Sequence, residues 1–252
     1  MLKIYWNELK KMKRKKVTMT LFAIGFLLPA FSVLLCVHSH YRFRNLVGMN
    51  EMFGSFLLVP FLFSVQLLSL FEMEEQNQTL KNILIIGIPK EKIFLSKLLA
   101  SLTIVLLFIA VNTIYTMIGG LFLKNYTADF LLIFEKLFMT SAAAVGATFP
   151  VTVLIVLLRK KNLVAMISVN CFVLLEFLLV WQLSMFHCLG LHLPILIAYR
   201  ITYPIGIFDY TENLQLGLDT LYYPADKGIL ILVFTVMISF AVSMWIYRSQ
   251  EI

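Results

Sequence analysis

The chain has 252 residues, of which 60% are hydrophobic and 14% charged, with 22 phenylalanines and a formal net charge of +7. So much apolar surface with so few charges does not suit a soluble domain, and the composition is that of an integral membrane protein. Nucleic acid is disfavoured as a partner, because the basic excess adjoins apolar runs and no soluble basic domain exists to carry it.

In residues 1–16, Leu2, Tyr5, Leu9 and Met12 share one helical face and lysines occupy the rest. That pattern predicts an interfacial helix resting on anionic lipid, with the chain rising from it into the membrane. A cleaved export signal is not expected: the following apolar run is too long, no small-x-small site precedes His38, and bulky Leu35 precedes Cys36. Windows of about 20 apolar residues, enough to cross about 30 Å of hydrocarbon as a helix, fall at Val17–Val37, Met52–Phe71, Leu98–Leu123, Leu137–Leu158, Leu163–Trp181 and Gly228–Tyr247. Backbone polar groups in lipid must be satisfied within the segment, so the expected fold is all-α, a polytopic protein of six transmembrane helices.

Between the second and third windows lies 72–97, EMEEQNQTLKNILIIGIPKEKIFLSK. Its mixed charge keeps it out of hydrocarbon, while Leu80, Ile83, Leu84 and Ile88 recur at the spacing of an amphipathic helix that ends at Gly87-Ile88-Pro89. Between the fifth and sixth windows, 183–227 is long yet too apolar to float in water, and Pro194, Pro204, Gly206 and Pro224 punctuate it. Short re-entrant helices capping the outer face of the bundle are expected there. No repeat or linker divides the chain, so 1–252 reads as a single transmembrane domain.

Fifteen of the 21 Lys and Arg lie on one side if the N-terminus is inside, which predicts that both termini and segment 72–97 are cytoplasmic. Catalytic motifs are missing: the sequence holds no phosphate loop, no H-E-x-x-H, no G-x-S-x-G and no paired carboxylates within the windows. Cys36, Cys171 and Cys188, with the pairs His38/His40 and His187/His192, are too sparse for a metal site, and a Cys36–Cys188 disulfide is not indicated. Glu176 is the one ionisable carboxylate or base inside a window. An isolated intramembrane carboxylate is costly, and both a structural role and a place on a transport path or gate are open to it. Pro60, Gln66, Asn112, Pro150 and Asn170 are read as helix kinks and interhelical hydrogen bonds.

The spacing of Glu72 or Glu75, Thr79-Leu80, Pro89 and Lys97 resembles the cytosolic segment between spans 2 and 3 of type-2 ABC exporter permeases, although Gln78 stands where that family usually has Gly. The basic interfacial helix, six spans and outer re-entrant segment match that family along essentially the whole chain. Within it, EEQNQTLKN, FPVT and LPILIAYR look similar to lantibiotic self-protection permeases.

The resemblance implies a permease subunit in a bacterial cytoplasmic membrane, with no ATP-binding motif of its own. Two copies of an ATPase subunit would bind ATP and Mg, and a second permease chain, identical or homologous, would complete the complex. It implies coupling to the ATPase through Glu72, Glu75, Thr79, Leu80, Pro89 and Lys97, and a cargo that is an amphipathic peptide or antibiotic. An antibiotic-sensing or scaffold subunit without transport is the alternative. An intramembrane enzyme is disfavoured, since Glu176 has no catalytic partner in neighbouring windows.

Overall fold

A computed structural model describes residues 2–76, 89–123, 130–186, 192–203, 221 and 223–249. Thr79, Leu80 and the apolar face through Ile88 lie outside the described residues.

Helix α1 (Leu2–Arg14) is separated from α2 (Lys16–His38) by Lys15 in an extended conformation. Tyr5, Leu9 and Met12 face the bundle and pack near Leu70, Ala100 and Ile104, whereas Leu2 is exposed. Then follow α3 (Phe43–Met49), a π-helical stretch (Asn50–Leu58) and α4 (Val59–Gln76), which together form one continuous span. The remaining helices are α5 (Lys90–Leu121), α6 (Phe130–Thr148), α7 (Val151–Leu158), α8 (Asn162–Phe186), α9 (Pro194–Thr202) and α10 (Ala225–Ser249). Six helices are long and apolar enough to cross a membrane: Thr18–His38, Phe43–Glu75, Lys90–Leu121, Leu131–Thr148, Asn162–Leu183 and Ala225–Ser249. The protein is an all-α polytopic membrane protein.

The second span starts earlier than its apolar window, at Phe43 instead of Met52, and the fourth at Leu131 instead of Leu137. Both extensions bring a charge inside, Glu51 and Lys136, and the two are compatible with that place because they pair with each other at 3.1 Å. The π stretch ends two residues before Pro60, which has no N–H and whose ring would crowd the carbonyl of Phe56 in a regular α-helix. Widening the turn relieves that clash, and Val59 N–H bonds Gly54 O, five residues back. At Pro150 the helix is instead interrupted by a turn, which divides α6 from α7.

The second span lies at the centre, packed on α2 and α5 to α8, and its apolar residues dominate the largest core cluster. The first, fifth and sixth spans are peripheral and carry wide exposed apolar faces, as lipid contact requires. In the region where re-entrant structure is expected, α9 is described: it packs on α6, α8 and α10, with Ile195 to Tyr199 buried. Proline at its first turn starts it without sacrificing a hydrogen bond.

Candidate functional site

Polar side chains gather at two levels of the bundle. At the end where α1 lies, Lys97 on the buried stripe of α5 has no exposed side-chain surface. Its Nζ reaches Glu74 Oε1 at 2.9 Å, Glu8 Oε2 at 3.3 Å and the carbonyl of Leu70 at 2.9 Å, and it lies 5.4 Å from the centroid of the Phe71 ring. Lys11 holds the other oxygen of Glu8 at 2.5 Å. Two buried acids are thus neutralised by buried Lys97 and half-buried Lys11, the condition under which buried charge is tolerated.

Around this centre the ends of segment 72–97 are fastened outward. Lys15, in the elbow between α1 and α2, donates to Ser69 O and Oγ, both at 3.1 Å, and lies 3.4 Å from Glu72. Arg159, after α7, pairs with Glu75 at 3.1 Å and stacks 5.2 Å from the centroid of the Tyr247 ring on α10. Arg248 at the end of α10 pairs with Glu91, and Lys90 Nζ donates to Arg248 O at 3.1 Å. Pro89 is exposed and caps the start of α5 in an extended conformation.

The sequence-predicted residues therefore divide. Glu72 and Glu75 are half-buried and held by bases from other elements, Pro89 is open, and Lys97 reaches any partner only through Glu8, Glu74 and Leu70. Glu8, Arg159 and Arg248 are site residues that sequence reasoning missed. A signal for Glu8 exists: it is three residues from Tyr5 and four from Met12, on the apolar stripe itself.

The second level lies within the membrane. Glu51 pairs with Lys136, Asn50 Nδ2 donates to Thr116 Oγ1 at 2.7 Å, and Ser141 Oγ donates to Ser55 Oγ at 2.9 Å. Asn112 Nδ2 lies 3.4 Å from Asn50 O, and Gly54 makes room for it: a Cβ there would stand 2.6 Å from that nitrogen. Gln66 donates to Thr18 at 3.1 Å, as expected of an interhelical bond. Glu176, on α8, is buried and its Oε2 lies 2.7 Å from Thr148 Oγ1, which is also 2.9 Å from Ala144 O. Glu176 is 14 residues into α8, about 21 Å along its axis, and ten residues before its end. Among the described residues no group of three or more His, Cys, Asp and Glu is placed to hold a metal ion.

Five spans packed about a central sixth, with an ion network gathering one end, define a polytopic membrane protein. The chain belongs to a known family of this class: the model of the ABC-2 family transporter protein matches residues 4–177. It is thus the membrane permease subunit of an ABC transporter, a family that works with an ABC ATPase partner. No curated protein matches the chain.

Proposed function

We propose that this permease belongs to an ATP-driven exporter, paired with a second permease chain, identical or homologous, and with two ATPase subunits that bind ATP and Mg. In this reading the α1 end faces the cytoplasm of a bacterial cell, both termini with it, and α1 rests on anionic lipid of the inner leaflet. The fifteen-to-six partition of basic residues supports that orientation. Segment 72–97 is the coupling element, with Glu72, Glu75, Thr79, Leu80, Pro89 and Lys97 as its working residues. Glu176 lies on the transport path or its gate. The cargo is an amphipathic peptide or antibiotic, as in lantibiotic self-protection, a reading that rests on the likeness of EEQNQTLKN, FPVT and LPILIAYR.

One observation carries the coupling assignment. Glu72, Glu75 and Glu91, at the two ends of the segment, are each held by a base outside it, Lys15, Arg159 and Arg248, while Glu74 and Lys97 join its two ends to each other. A displacement of the segment is therefore passed to the α1 elbow, α5, the α7–α8 turn and α10 together, and coupling requires such a shared conformational equilibrium. Glu75→Lys with Leu80→Asp should leave the spans inserted but weaken ATPase association or uncouple hydrolysis from cargo. Co-purification and cargo-stimulated hydrolysis measure both; wild-type values for each would remove the assignment.

A further inference from the structure

In the elbow between α1 and α2 lies an open cavity of about 330 Å³, lined by Leu9, Met12, Lys13, Met19, Phe22 and Ile104 together with Thr18. Apart from Lys13 and Thr18 its wall is apolar. Phe22 and Ile104 also border a small apolar niche between α2 and α5, lined by Gly25, Leu107 and Val111. Gly25 helps keep this seam narrow, since a Cβ there would stand 3.0 Å from the Phe108 ring.

Charge is distributed unevenly at the mouth. Lys11 and Lys15 are consumed by Glu8 and Glu72, whereas Lys13 is exposed and has no ion pair among the described residues. The only acid of α1, Glu8, is buried against Lys97. An unpaired cation beside an open apolar cavity matches a molecule with an anionic head and a hydrocarbon tail. We infer that this elbow is a binding site for one anionic phospholipid, its phosphate at Lys13 and an acyl chain along Phe22 and Ile104. The inference rests on the proposed placement of α1 at an anionic leaflet and adds a defined site to it. Filled, the cavity wedges α1 against α2 and α5, beside the Lys15 elbow and the helices that carry Glu8 and Lys97.

The test uses the purified permease–ATPase complex, delipidated and titrated with phosphatidylglycerol or phosphatidylcholine, with retained lipid counted by native mass spectrometry. Wild type should retain one phosphatidylglycerol in preference to phosphatidylcholine. Lys13→Gln should weaken phosphatidylglycerol about fivefold, the contribution of one lysine near an anionic surface, and leave phosphatidylcholine unchanged. Ile104→Trp fills the cavity and should abolish retention of either lipid. Met19→Trp, at the exposed mouth, serves the same purpose should Ile104→Trp fail to assemble. Lys3→Gln with Lys10→Gln, away from the cavity, should change retention less than twofold. Wild-type retention in the tryptophan variants overturns the site. If the Lys3/Lys10 pair then matters as much as Lys13, α1 meets lipid only diffusely and the leaflet reading survives; if no lysine matters, both fall.

Discussion

Lys97→Met removes the cation that holds Glu8 and Glu74 together, and both carboxylates have side-chain exposures of only 1–2%. Methionine keeps most of the lysine's volume and its place beside Phe71, so little of the loss comes from a cavity. What remains is stranded charge: Glu8 retains Lys11, while no other base is paired with Glu74 among the described residues. Breaking one side of a buried ion pair destabilises by about 3–5 kcal/mol, more than a hundredfold in the folding equilibrium at about 1.4 kcal/mol per tenfold. Adding Glu8→Gln and Glu74→Gln removes the stranded charges and should recover most of that loss. The assay is unfolding in lipid nanodiscs followed by tryptophan fluorescence, with Lys92→Met, at an exposed position, as the reference. Lys97→Met as stable as Lys92→Met, or a triple variant no better than the single one, would refute the argument. If the triple variant is stable but its ATPase runs without response to cargo, the charges transmit motion as well as holding the fold.

Glu176→Gln should be tolerated and Glu176→Lys should not. An amide N–H can donate to Thr148 Oγ1 while Thr148 donates to Ala144 O, whereas lysine brings a cation into a buried place with no acid provided; equal cellular transport by both variants would show that the position is solvated. For the proposed orientation, cysteines at Asn77 and Lys160, in a chain without Cys36, Cys171 and Cys188, should be shielded from an impermeant thiol reagent in intact cells while one at Asn213 reacts. Labelling of the first two before lysis reverses it.

The six spans were legible because length and apolarity suffice to identify them. Their ends were less so. Asn50 and Glu51 look like a loop before Met52, and only Lys136, 85 positions away, makes them compatible with a buried helix. Lys97 was legible as a residue of a recognised spacing but not as a buried one, although it sits four residues after Ile93 and three after Phe94, on their stripe. A charge in register with an apolar face announces a buried partner, as Glu8 does beside Tyr5 and Met12. Glu74 offers no such clue, since it stands between Glu72 and Glu75 and only the helix register turns it inward. The α9 helix followed from proline spacing and hydropathy, whereas the π stretch arises from how Pro60 and the Asn112–Gly54 contact combine.

The second span contributes to both polar levels, through Glu72, Glu74 and Glu75 at one and Asn50, Glu51 and Ser55 at the other. From Glu51 to Glu75 the second span covers 24 residues, about 36 Å at an α-helical rise, and 83% of its most apolar window is buried. A helix packed on this many neighbours does not slide continuously, because its side chains interdigitate at close to crystal density; it moves between discrete packings. If segment 72–97 is the coupling element proposed above, force applied through Glu72, Glu74 and Glu75 arrives at Glu51 and Lys136 unless it is absorbed on the way. The one place able to absorb it is Asn50–Leu58, whose backbone bonds already depart from the α pattern and whose Gly54 lets Asn112 lie directly against the helix. Rewinding that stretch would rotate Asn50 and Glu51 relative to Thr116 and Lys136, so the intramembrane polar contacts are the ones that a change at the α1 end must remake.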